Sequence, residues 1–129
     1  MVYLKNYFFR GLIFSRLEKE YSPLKASLIS ALLFGLAHSL GLLSDQPSLL
    51  ILSQIIYAFF MGILFGAVFY VTKNIWSLVF LHGLVDFCSA IIKINTDKNQ
   101  LEDASTILET AIANLVFVFP AALIGLTIL

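Results

Sequence analysis

A chain of 129 residues that is 60% hydrophobic and 12% charged, with a mean hydropathy of +0.94, is not a water-soluble domain, which would carry about a quarter charged residues. Eight Lys+Arg balance eight Asp+Glu, so no basic surface is available for nucleic acid and none is expected as a partner. One cysteine excludes an internal disulfide framework and a multi-cysteine zinc site. At about 20 residues per bilayer crossing, the length admits four or so spans once connections are counted.

Residues 1–21 interleave aromatics with Lys5, Arg10, Arg16, Glu18, Lys19 and Glu20. No stretch there is long and uncharged enough to cross a bilayer alone, so it reads as an interfacial or partial helix. Residues 22–129 read as a four-span core. Ser22-Pro23 is a helix start, with Ser as N-cap and Pro at a position that needs no donor. The first span runs over about 24–43, with only Lys25 and His38 ionisable. A turn at 44–48 follows, where Pro47 forbids continuation of the helix. The second span, 49–72, carries no charge. Lys73-Asn74 is a tight connection to the third span, 75–92, which is interrupted by His82 and Asp86. A polar loop at 93–105 leads to the fourth span, 106–129, with a kink expected at Pro120. The fold class is all-α: an interfacial N-terminal helix plus four transmembrane helices.

Lys and Arg concentrate in residues 1–25 (Lys5, Arg10, Arg16, Lys19 and Lys25), and Lys73 lies in the second connection. The positive-inside rule then places both termini of a multi-pass cell-membrane protein on the cytoplasmic side. The lipid bilayer is its first partner.

Ionisable groups inside hydrocarbon are costly and functional candidates by default. Three sit well within the apolar runs: His38, His82 and Asp86. His82 and Asp86 are four residues apart and share a helix face, continued by Ser89. His38 lies on a face with Ser27, Ala31, Phe34, Gly35 and Gly41, mostly small residues that let another helix approach. At about 1.5 Å per residue, His38 lies roughly 20 Å along its span and His82 roughly 10 Å along its own, a poor match in depth. A histidine opposite a His/Asp pair could hold a divalent metal such as zinc, or polarise a water and a substrate carbonyl. The plainer reading makes His82 and Asp86 a self-satisfied pair, with His38 bonded to a neighbouring helix. Gly62-x-x-x-Gly66 reads as a close-packing face, and Cys88, off the His82/Asp86 stripe, as an inert buried thiol.

Arg10-Gly11 after Phe8-Phe9, Phe34-Gly35-Leu36-Ala37-His38 and His82-Gly83-Leu84-Val85-Asp86, in that order, resemble the successive motifs of the CPBP family of intramembrane proteases. That family comprises the CAAX-prenyl endopeptidases and bacteriocin self-immunity proteins. Its pattern is Glu-Glu-x-x-x-Arg, then Phe-x-x-x-His, then His-x-x-x-Asn or Asp, and the likeness covers about residues 5–90. The resemblance implies peptide-bond hydrolysis in the membrane, with CAAX-type prenylated or other membrane-associated peptides as substrates. It implies that His38 is the water-side histidine, that His82 and Asp86 stabilise the oxyanion or contribute to a metal environment, and that Arg10 is structural or clamps a carboxylate.

One departure is sharp: the family's two glutamates fall on Lys5 and Asn6. An amide cannot accept a proton at neutral pH, an ammonium repels a metal ion, and losing a general base typically costs about 10²–10⁴ in rate. The resemblance therefore leads to an impaired protease scaffold, a truncated or degenerate member of a longer architecture. The alternatives are a non-catalytic binding protein, such as a bacteriocin-immunity factor, or a subunit of a larger membrane assembly.

Overall fold

The computed structural model describes residues 2–43, 47–95 and 104–129, with side chains described for 2–40, 47–90 and 105–129. All regular structure among them is helical, and the protein is an all-α polytopic membrane protein. The chain enters through α1 (Val2–Asn6), continues without a break into a π-helical segment (Tyr7–Phe14), and closes with the short α2 (Ser15–Leu17). Then come α3 (Pro23–Leu36), a 3-10 segment (Ala37–Leu43), α4 (Ser48–Thr72), α5 (Ile75–Asn95) and α6 (Ala104–Ile128).

The local signals act where the sequence places them. Ser22 is extended and its side chain accepts a hydrogen bond from the Lys25 N–H, with Pro23 in the first turn of α3. Lys73 terminates α4 in a left-handed conformation, with φ of 50°. The Asn74 side-chain carbonyl then accepts from the Trp76 N–H at 2.9 Å and starts α5. Lys73 also pairs with Glu18 across the surface, tying this turn to the end of the first helical stretch. The helix α6 continues through Pro120. The core of the 44–48 turn and most of the 93–105 loop lie outside the described residues.

Three stretches are long and apolar enough to cross a membrane: Pro23–Leu40, Ser48–Thr72 and Ser105–Ile128. In α5 the apolar stretch, Ile75–Ala90, is shorter. The central element is α4, with α3, α5 and α6 packed against it. Its contact with α3 is close because Gly62 and Gly66 carry no side chain. A Cβ on Gly62 would lie 2.8 Å from the Ala31 Cβ, and one on Gly66 would lie 2.1 Å from the Ser27 Oγ. This is the packing face that the Gly-x-x-x-Gly spacing predicts. Large apolar side chains on the outer faces, such as Phe80, Trp76 and Phe117, are exposed, as befits surfaces that meet lipid.

The N-terminal stretch engages the bundle more deeply than an interfacial helix needs to. One of its faces, carrying Tyr3, Leu4, Tyr7, Phe8 and Leu12, is exposed. The other sends Asn6, Phe9, Arg10 and Phe14 into the interior. Phe14 joins a core with Phe65, Phe69 and Leu78, and Phe9 packs on Phe34 and Ala58. Ser30 of α3 donates to the Phe9 carbonyl at 2.6 Å. Both the backbone N–H and the hydroxyl of Ser15 bond the Arg10 carbonyl, a five-residue spacing that belongs to the wide π turn. Such turns are frequent at functional sites.

Candidate active site

The π segment, the 3-10 segment after α3 and α5 bring Arg10, His38 and His82 to one aromatic side chain. Phe34, on the α4-facing side of α3, is buried. Its ring packs edge-on against His38 at 5.0 Å and against His82 at 5.8 Å, measured between centroids. The Arg10 guanidinium lies over the same ring at 4.3 Å. The separation of the two imidazoles is therefore capped by the sum of those two ring distances. His38 lies just beyond the end of α3, in the first turn of the 3-10 segment, and Phe34 touches both imidazoles although the spans place them at unequal depths.

Arg10 is fully buried. One of its terminal nitrogens, Nη2, donates to the Gly62 carbonyl at 3.1 Å, while Nε and Nη1 have no partner. The guanidinium is held between Phe34 and Phe65, the latter at 5.4 Å, where face-on contact with aromatic rings replaces part of the lost hydration. Phe65 also packs against His82 at 5.2 Å. The sequence did not single out this phenylalanine; its place between Gly62 and Gly66, on the close-packed face of α4, is the signal that could have found it.

His38 is half-buried, and its Nδ1 lies 2.9 Å from the Phe34 carbonyl. A carbonyl only accepts, so Nδ1 carries the hydrogen and Nε2 keeps its lone pair. The bond is to the histidine's own helix, not to a neighbouring one. His82 is buried, with Nδ1 3.1 Å from the Asn6 Nδ2. On the other edge of the ring, Nε2 lies 3.7 Å from Asp86 Oδ1, within ion-pair distance and too long for a hydrogen bond. Asp86 is more than half exposed, its side chain at 59%. Between His82 and Ala90 the side chains of α5 are mostly exposed, with Val85 packed on the core, and Cys88 is exposed where the sequence suggested a buried thiol. Lys5 is half-buried, and Asn6 is fully buried beside His82.

The Rce1-like family of type II CAAX prenyl endopeptidases matches residues 4–88, the stretch that contains every one of these side chains. The chain belongs to that family. A Bacillus subtilis (strain 168) protein named "Putative membrane peptidase YdiL" is 30% identical over 112 residues. That alignment takes in 87% of this chain and 41% of the relative, so the chain spans about two fifths of that protein's length. No solved structure matches.

Among the described residues of this Rce1-like chain, the side chains at the site do not fit a divalent ion. Among the described residues no group of three His, Cys, Asp or Glu side chains is placed to hold one. A metal-bound imidazole ordinarily donates its second nitrogen's hydrogen to a carbonyl or carboxylate. His38 has that arrangement, but His82 faces an amide N–H₂. The remaining chemistry is hydrogen bonding. His38 offers an Nε2 acceptor, His82 an Nε2 edge beside Asp86, and Arg10 a fixed positive charge behind Phe34.

Proposed function

We infer that this chain is a CAAX-protease-type scaffold that assembles its second and third motifs and cannot efficiently activate a water. The observation that carries this reading is the contact between Asn6 and His82. The position that the family pattern gives to a glutamate faces the third-motif histidine directly, and an amide stands there. In the assembled site His82, its ring held at Nδ1 by Asn6, polarises a peptide carbonyl from one side, and His38 Nε2 accepts a hydrogen bond from a water on the other. A carboxylate would have drawn the water's proton; Asn6 has no such capacity, and Lys5 adds a like charge to that of Arg10. The substrate class is a membrane-associated peptide of the CAAX type, and both termini face the cytoplasm.

Restoring Glu at positions 5 and 6 tests this. The Lys5→Glu/Asn6→Glu chain, reconstituted in liposomes with a prenylated CAAX peptide, is expected to hydrolyse it about 10²–10⁴ times faster than the unaltered chain. Equal rates from the two would discard the lesion as the reason for inactivity. The same amide favours a second reading, a binding protein of the bacteriocin-immunity kind, in which peptide is held and not cut. Protection that survives both His38→Ala and His82→Ala would place such binding outside this site.

A further inference from the structure

The Asn6 amide has two N–H bonds, and both are used. Its Nδ2 donates to the Val2 carbonyl at 3.1 Å and lies 3.1 Å from His82 Nδ1. The Val2 oxygen only accepts, which fixes the N–H₂ end of the amide on that side. Rotating the amide would set Oδ1 against the Val2 oxygen and would place Nδ2 where Oδ1 now sits without a partner. With Nδ2 as the donor, His82 Nδ1 must be the acceptor, and the single hydrogen of the neutral imidazole resides on Nε2. Asp86 does not consume that hydrogen, since its oxygen stands at 3.7 Å. His38 is set the opposite way by the Phe34 carbonyl, with its hydrogen on Nδ1.

We propose that Asn6 is a positioning residue that locks His82 as the Nε2–H tautomer, so that this imidazole presents an N–H donor to a carbonyl oxygen and no lone pair to a metal ion. A carboxylate at the same position would accept from Nδ1 and leave the Nε2 lone pair outward. Replacing an acid by its amide therefore does more than remove a base: it turns the neighbouring histidine from a ligand into a donor. The inference rests on the reading of His38, His82 and Asp86 as the site, but its test requires no catalysis.

The test uses the full chain, labelled with ¹⁵N-histidine in detergent micelles, and two-bond nitrogen–proton correlation spectra at a pH where both imidazoles are neutral. Only two histidines are present, and His38→Gln assigns them. The two rings are expected to show opposite tautomers, with His82 protonated on Nε2 and His38 on Nδ1. Asn6→Leu removes the donor, so the His82 Nδ1 resonance should shift or the proton should redistribute between the ring nitrogens, while His38 stays unmoved. Added Zn²⁺ should leave the His82 signals in place. His82 protonated on Nδ1, unmoved His82 nitrogens in Asn6→Leu, or His82 signals displaced by Zn²⁺ in the unaltered chain would each overturn the proposal. If Asn6→Leu does not fold, the spectrum and the Zn²⁺ titration of the unaltered chain decide alone. A locked tautomer combined with no gain of activity from the restored glutamates would fault the functional reading and support this one.

Discussion

Gly66 is the position where the packing account is easiest to break. A Cβ added there would fall 2.1 Å from Ser27 Oγ, 3.0 Å from Ser27 Cβ and 3.5 Å from Ser27 Cα. The first distance is impossible and the second very tight, whereas the third is ordinary contact. Ser27 cannot simply turn away: it is fully buried, and its hydroxyl donates to the Ile63 carbonyl at 3.4 Å. Gly66→Ala should therefore destabilise the bundle by about 1–3 kcal/mol, the usual cost of overpacking. In a Ser27→Gly background both offending atoms are gone, and the same alanine should cost almost nothing. The coupling between the two sites should thus approach the whole cost of the single change, within the roughly 0.5–3 kcal/mol range of contacting pairs. Reversible unfolding by SDS in mixed micelles, followed by tryptophan fluorescence, measures all four corners of the cycle. A Gly66→Ala penalty that persists undiminished in the Ser27→Gly background would refute the close approach of α3 and α4 at this level.

Three further outcomes follow from the site. Ser30→Ala removes the bond to the Phe9 carbonyl and should cost about 0.5–1.5 kcal/mol in the same unfolding assay. Phe34→Ala removes the ring shared by Arg10, His38 and His82. It should cost about 3–5 kcal/mol and should also change the environments of both histidines in the ¹⁵N spectrum. Arg10→Met keeps the length of the side chain and discards a buried charge with two unpartnered nitrogens. Its net effect should be small or stabilising, and a loss of several kcal/mol would reveal an acidic partner for Arg10.

Three long apolar stretches, the helix start at Ser22-Pro23, the Lys73-Asn74 connection and the Gly62/Gly66 face were legible, because each rests on local chemistry or on a repeat of hydrophobic and small residues. His82 beside Asp86 was legible for the same reason, being one helical turn apart. The π segment was not, since no residue pattern in Tyr7–Phe14 marks a widened turn, and the burial of Asn6 and Arg10 depends on which face of that stretch meets α4 and α5. The role of Phe34 as the meeting point of three polar side chains was hidden likewise. In the sequence it is one of twelve phenylalanines, and only the approach of α5 and the first helix gives it neighbours. The exposure of Cys88 escaped notice because apolar neighbours in a span do not say whether they face protein or lipid.

The proposed function has a CAAX-protease-type site assembled with an amide where its base should be. The most direct measurement is hydrolysis of a prenylated CAAX peptide by the unaltered chain in liposomes, compared with the His82→Ala chain prepared identically. The unaltered chain should exceed it by no more than about 10⁻² of the rate of the Lys5→Glu/Asn6→Glu chain. Cleavage by the unaltered chain as fast as that of the Lys5→Glu/Asn6→Glu chain, and abolished by His82→Ala, would contradict that reading, because it would show a fully working site with Asn6 in place.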